Sequence, residues 1–191
     1  MSILTRKNYQ KIKNKMLYQI LKPKLFPDSD TPVWKVLLKD WGLDQVMDYG
    51  SPSREFSHSL FFPTTGEDYE HVDWGNTMLL KDWTYTRQVA AEYPGCRILG
   101  LLPAPTEEEI REAEGKLLGF DILDEPEGYS LLRRIYEDPA AYGNPTINSC
   151  ALLDDRSTAY RLKDYLRDTF GEQDWHCRNP EVWAVFRVDK R

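Results

Sequence analysis

The chain has 191 residues, of which 41% are hydrophobic and 29% are charged, with 11 glycines and 12 prolines. This composition excludes a low-complexity disordered chain, a collagen-like repeat and a disulfide-dense miniprotein, and no apolar run approaches the roughly 20 residues that span a bilayer. With 25 basic and 31 acidic side chains, the formal net charge is −6. The length predicts one domain, over residues 1–191, with a sizeable core.

Charge is distributed unevenly along the chain. Residues 1–24 contain seven basic side chains and no acidic one, so the other 167 residues carry 18 basic and 31 acidic groups, a net of −13. An acidic body repels phosphate backbones and anionic lipid headgroups, and it attracts basic proteins. We therefore expect a basic protein as the partner, and we expect neither nucleic acid nor a membrane.

The basic N-terminal segment has the spacing of an amphipathic helix. Tyr9, Ile12, Met16 and Ile20 recur at helical intervals, which puts the lysines on the opposite face. We expect residues 1–22 to form a basic helix docked on the acidic body. The alternative is an arm that contacts a membrane surface or nucleic acid.

Targeting signals and cysteine content bear on the compartment. The N-terminal segment lacks the apolar stretch and the small-residue cleavage site of a secretory signal. Three cysteines, Cys96, Cys150 and Cys177, leave at least one thiol unpaired, which is awkward in an oxidising compartment. A cytoplasmic location is the simplest expectation.

In the first half of the chain, predicted helices alternate with irregular segments. A helix is predicted between Thr31, which has the features of an N-cap, and Gly42, which ends the apolar stripe. Residues 49–77 are the least regular stretch, with one short strand predicted at 56–62. A second helix is predicted over 82–93.

From residue 97 onward, strands and helices alternate more clearly. Thr106 and Glu109 have the spacing of a capping box, which predicts that a helix starts there. Further helices are predicted at 130–136 and 155–170, and strands at 97–102, 117–123, 150–153, 174–177 and 182–188. The last two strands are expected to form a C-terminal β-hairpin. The pattern predicts an α+β fold, with a small mixed sheet packed by helices.

The sequence offers few candidates for catalysis. It contains no Gly-rich phosphate loop, no G-x-S-x-G elbow and no set of metal ligands at recognisable spacing. A nucleophile formed by Cys150 or Cys177 with His58, His71 or His176 is the best enzyme candidate, and a pair of carboxylates is another. We expect a non-enzymatic protein without a metal or cofactor. A small hydrolase-type enzyme and a structural or assembly protein are the alternatives.

An acidic loop is the first candidate for partner binding. Asp121, Asp124, Glu125 and Glu127 cluster at the end of a predicted strand, and Tyr129 follows them. Loop residues at strand ends often carry function. The cluster is either a solvated acidic loop or an electrostatic landing site for a basic protein.

Two tryptophans are further candidates. Trp74 and Trp175 lie in irregular segments beside Asp73 and Asp174. Exposed aromatic side chains next to charges are typical of interface hot spots, whereas packing in the core is the alternative reading.

The C-terminal half also carries a family resemblance. Its elements are Gly119-Phe-Asp-Ile122, Ser130-Leu-Leu132, Asn148, Leu152-Leu153, Ala159 and Trp183-Ala-Val-Phe-Arg187. Over residues 117–188 this pattern resembles that of short bacterial proteins of mostly unassigned function, although it lacks their Asn-Cys-Gly turn after the S-x-L block. Some of those proteins are immunity partners that neutralise an interbacterial toxin domain. The resemblance implies that this chain binds a toxin, and an acidic surface suits a basic one.

Overall fold

The computed structural model of the protein describes residues 15–21, 70–73, 79–124, 130–148 and 150–188. The strands in these ranges are β1 (Leu17–Leu21), β2 (Val72–Asp73), β3 (Leu79–Leu80), β4 (Arg97–Pro103), β5 (Lys116–Leu123) and β6 (Glu181–Val188). The α-helices are α1 (Trp83–Ala91), α2 (Glu107–Glu112), α3 (Leu132–Glu137) and α4 (Arg156–Phe170), and 3-10 turns lie at Pro139–Tyr142 and Trp175–Cys177. Helices and a sheet thus share one chain, which confirms the predicted α+β class.

The strands form one sheet in the order β2-β3-β1-β4-β6-β5. Every strand pair in the described ranges is antiparallel, so this part of the sheet is not mixed as predicted. The inner strands β4 and β6 are buried on both faces, since consecutive side chains such as Ile98 and Leu99 point to opposite faces and are both covered. This double burial explains why both strands read as apolar runs in the sequence.

Strand β1 corrects the prediction of a helix over residues 1–22. It lies between β3 and β4, with Tyr18 opposite Gly100 and Ile20 opposite Ile98. Both faces of β1 are buried, and periodicity alone does not separate a short apolar run in a strand from a helical stripe. The remainder of the predicted helix, residues 1–14, lies outside the described residues.

The basic segment contacts the acidic body through Lys15. Its Nζ lies 3.0 Å from Glu109 Oε2 and donates to the Ala104 carbonyl oxygen at 3.1 Å. The helix predicted between Thr31 and Gly42, and the strand predicted at 56–62, fall in ranges that the structure does not describe.

Helices α1 and α2 start where the sequence predicts them to start. The Asp82 carboxylate accepts from the Tyr85 N–H at 2.6 Å at the start of α1. The capping box at α2 is complete, because the Thr106 hydroxyl accepts from the Glu109 N–H and the Glu109 carboxylate accepts from the Thr106 N–H. These local contacts confirm the predicted helix starts.

Helix α4 is capped by Asp155, the first residue of the helix predicted over 155–170. The carboxylate accepts from the Ser157 hydroxyl and from the Thr158 N–H, both at 2.6 Å. These hydrogen bonds lower the pKa of Asp155 from its usual 3.8 to about 2. The apolar stripe of the helix is buried on the core side at Ala159 and Leu162.

The predicted C-terminal hairpin is wrong. Residues 175–177 form a 3-10 turn, and β6 pairs with β4 and β5 instead. The Asp174 carboxylate accepts from the His176 N–H at 3.0 Å, and such a local bond favours a turn over a strand. Residues 150–153 likewise make isolated bridges, from Leu153 to Phe120 and Ile147, and not a regular strand.

Gly119 permits a close approach between β5 and residues 148–153. Its φ is +150°, and a Cβ at this position would lie 2.7 Å from both the Leu152 Cβ and the Leu153 carbonyl oxygen. That carbonyl accepts from the Phe120 N–H at 2.8 Å, so moving it away breaks a bridge between the two segments.

We predict that Gly119→Ala lowers the free energy of unfolding by roughly 2–4 kcal/mol, from backbone strain and steric overlap together. Gly143→Ala is the matched control, because Gly143 has a φ of +74° but no atom within 4 Å of an added Cβ. It should cost only about 1 kcal/mol. Urea denaturation measures both variants, and equal losses would contradict the role given to the close approach.

Candidate partner-binding site

Asp121 is buried at the end of β5, which corrects the expectation of an exposed acidic loop at this position. Its carboxylate accepts from the Ser130 hydroxyl at 2.6 Å and from the Ile122 N–H at 2.7 Å. A buried carboxylate needs such donors, because it loses its hydration. Asp121 therefore links β5 to the residues before α3 and offers no surface to a partner.

Asp124 is buried as well, and it joins the end of β5 to the 3-10 turn. The Nδ1 of His176 donates to its Oδ2 at 2.6 Å. The side chain of Asp124 is 0% exposed and that of His176 is 32% exposed. A carboxylate inside the protein thus orients an imidazole at the surface.

A second ion pair holds the same turn from the side of α3. The Arg134 guanidinium pairs with the Asp174 carboxylate and lies 5.5 Å from the centroid of the Phe170 ring. At the far end of the turn, Cys177 is buried, and this burial raises the pKa of its thiol. We call residues 174–178 the tryptophan turn.

Trp175 is the exposed residue that this turn presents. Its side chain is 47% exposed, the largest exposure among the described large hydrophobic residues. The indole contacts the His176 imidazole, with ring centroids 3.8 Å apart and planes tilted by 30°. A large apolar ring is therefore held at the surface by a turn that is itself fixed.

Aromatic side chains extend this surface along α4. Tyr165 is 42% exposed, and it makes edge contacts with Tyr142, at 5.8 Å, and with Phe170, at 6.3 Å. Phe170 in turn contacts Arg134, which pairs with Asp174. A continuous chain of contacts therefore connects the exposed face of α4 with the tryptophan turn.

The structure brings together two candidates that the sequence presented separately. Because Asp124 contacts His176, the acidic loop starts beside the tryptophan turn, and a bridge from Leu123 to Ser130 joins the ends of that loop. The other predicted contact residues, Glu125, Glu127, Tyr129 and Trp74, lie outside the described residues.

Sequence reasoning missed Arg134, Tyr165 and Phe170. Arg134 meets Asp174 across 40 residues of sequence, which no local pattern reveals. The exposure of Tyr165 could have been predicted from the sequence, because Tyr165 lies off the apolar stripe formed by Leu162 and Leu166 and so faces away from the core.

The enzyme and metal candidates find limited support. Cys177 adjoins His176 in sequence, but burial keeps its thiol protonated, so it does not fit a nucleophile. Within the described ranges, no group of three His, Cys, Asp or Glu side chains is placed to hold a metal ion. No helix in the same ranges has the length and apolarity to cross a bilayer.

The residues that carry the family resemblance act as scaffold. The Asn148 amide donates to the Leu118 carbonyl oxygen at 2.7 Å and to Asp154 at 2.8 Å, while its side-chain oxygen accepts from the Cys150 N–H. With Gly119, it fastens a turn to β5. Comparison of the chain with protein-family models, with curated proteins and with solved structures gives no match.

We predict that Asp121→Ala lowers the free energy of unfolding by roughly 2–4 kcal/mol, because two donors, from Ser130 and Ile122, lose their acceptor. Glu108→Ala, at an exposed carboxylate of α2, should change it by less than about 0.5 kcal/mol. Urea denaturation checks both variants. A loss at Asp121 as small as that at Glu108 would show that the buried carboxylate is not a structural link.

Proposed function

We propose that the protein is a non-enzymatic cytoplasmic binding protein, and more specifically an immunity protein that binds and neutralises a basic toxin domain. The observation that carries the proposal is Trp175, exposed on a turn that is fixed from two sides by Asp124 and Arg134. In this proposal Trp175 is the centre of the contact, and Glu125, Glu127 and Tyr129 also take part in binding.

The chemistry around Trp175 supports a protein partner. Tryptophan, tyrosine and arginine are enriched in interface hot spots, and the two aromatic side chains provide a large contact area with few torsions to immobilise. Trp175 and Tyr165 supply the two aromatic types on one connected surface. Such a surface favours burial against another protein over contact with water alone.

The charge distribution supports a basic partner. The net charge of −13 beyond residue 24 attracts a basic protein and speeds its association. At the tryptophan turn itself, Asp124 and Asp174 are already paired with basic side chains. We therefore assign the long-range attraction to the acidic body and the short-range contact to Trp175.

Two further observations support the proposed cytoplasmic location and the proposed immunity role. All three cysteines are free thiols, as in a protein kept in reducing surroundings. The pattern over residues 117–188 resembles proteins of which some are toxin immunity partners, and an inhibitor of this kind needs no catalytic residues.

A hydrolase-type enzyme is the second candidate function, and the Asp124–His176 pair favours it. A buried carboxylate that orients a half-exposed imidazole is also the arrangement of a general base. His176→Gln distinguishes the two functions. An enzyme should lose saturable, multiple-turnover hydrolysis of p-nitrophenyl esters in this variant. A protein without a substrate site shows only the slow, non-saturable hydrolysis that any exposed imidazole gives.

We predict that the tagged protein, purified from its native cells at low salt, retains a basic protein in stoichiometric amount and releases it as salt rises. Trp175→Ala should weaken the binding of this protein at least roughly thirtyfold, because a tryptophan at an interface centre contributes about 2–4 kcal/mol. Surface plasmon resonance with the purified pair measures the affinity.

Tyr93→Ala is the matched control. Tyr93 is 38% exposed and follows α1, whose main packing is on β1 and β3. This variant should bind within about twofold of the wild type. Equal losses for Tyr93→Ala and Trp175→Ala would contradict a contact centred on Trp175.

Neutralisation is tested with the captured protein. Expressed alone it should arrest growth, and co-expression of the wild-type chain should restore growth where Trp175→Ala does not. Reversal of Glu125 and Glu127 to lysine should slow association about tenfold at low salt and leave dissociation unchanged. A captured protein that is acidic, or harmless to the cell, would refute the immunity role.

A further inference from the structure

We infer that Asp124 and Arg134 are positioning residues of the proposed contact surface, which hold Trp175 in its partner-facing orientation before the partner arrives. The inference rests on the proposed function and adds to it how the surface is prepared. Neither side chain needs to touch the partner, since Asp124 acts through His176 and Arg134 acts through Asp174.

Asp124 fixes the ring against which Trp175 rests. Its carboxylate is 0% exposed, so bulk water does not compete for the His176 Nδ1–H, and the 2.6 Å contact sets the plane of the imidazole. The indole of Trp175 lies on that imidazole at a centroid distance of 3.8 Å. By fixing the His176 imidazole, Asp124 therefore determines where the indole of Trp175 rests.

Arg134 fixes the backbone that carries Trp175. It pairs with Asp174, whose other carboxylate oxygen accepts from the His176 N–H at 3.0 Å. The Phe170 ring packs against the same guanidinium. Because the backbone carbonyl of Asp174 also accepts from the Cys177 N–H, the turn is closed on both sides of Trp175.

These two sets of contacts restrict the conformations of Trp175 before binding, so that Trp175 loses little conformational entropy when the partner binds. An interface side chain that is free in solution must be ordered on binding, and the associated loss of entropy opposes complex formation. Ordering of one such side chain changes the dissociation constant by roughly three- to tenfold. Among variants of one interface, such changes are mostly seen in the dissociation rate.

Asp124→Asn and Arg134→Gln test the inference on the chain alone, labelled with 5-fluorotryptophan. The chain has six tryptophans, and Trp175 is identified as the ¹⁹F resonance missing from Trp175→Phe. We expect this resonance to broaden or move toward that of free fluorotryptophan in both variants. The resonances of the tryptophans remote from the turn should stay in place.

Two control variants separate positioning from a general loss of stability. Arg133→Gln removes an exposed pair with Glu137, at the position next to Arg134 on α3. Asp155→Ala removes the N-cap of α4 and lowers stability by about the amount typical of a lost cap. Neither should move the Trp175 resonance.

The second readout is the dissociation rate from the captured basic protein. Asp124→Asn and Arg134→Gln should each raise it roughly three- to tenfold, with the association rate unchanged. In a Trp175→Ala background, the same substitutions should have no further effect, since they act only through Trp175. A merely structural role would instead give additive losses.

The outcomes separate this inference from the proposed function. An unchanged Trp175 resonance in both variants overturns the inference, whether or not a partner is found. A changed resonance with an unchanged dissociation rate overturns the positioning role but leaves the proposed function standing. If no basic protein is captured, the proposed function fails, and the positioning role fails with it.

Discussion

The covering of both sheet faces at β4 and β6 is the constraint on which the rest of the structure depends. Strand β5 lies beside β6, so the carboxylates of Asp121, near its end, and of Asp124, directly after it, must find donors inside the protein. One donor comes from Ser130, just before α3, and the other from His176 in the tryptophan turn. The requirement to satisfy two buried charges therefore fixes the segments that surround the proposed contact surface.

Local signals predicted the helix starts correctly. The predictions that were wrong concern segments whose structure depends on long-range contacts. The caps at Thr106 and Asp155 act within three residues, so their patterns can be read directly. The burial of Asp124 depends on His176, 52 positions further along the chain, and an acidic cluster at a strand end looks solvated without that knowledge. The helix predicted at residues 17–21 was wrong for a similar reason, because strands far along the sequence, β3 and β4, pair with this segment.

Scaffold and proposed contact surface are carried by different residues. Gly119, Asn148 and Ser130, which belong to the resemblance, fasten β5 to its neighbours through backbone contacts and buried hydrogen bonds. Trp175 and Tyr165 are not among the residues of that pattern, and both are exposed. Two chains with this pattern can therefore share a framework and present different surfaces.

The pairing of β1 with β4, and of β4 with β6, has a consequence for folding. Residues near 20 pair with residues near 100, and those pair in turn with residues 181–188. Such large sequence separations give the sheet a high contact order, which slows folding. Completion of the sheet therefore depends on β6, the strand that lies between β4 and β5 and pairs with both.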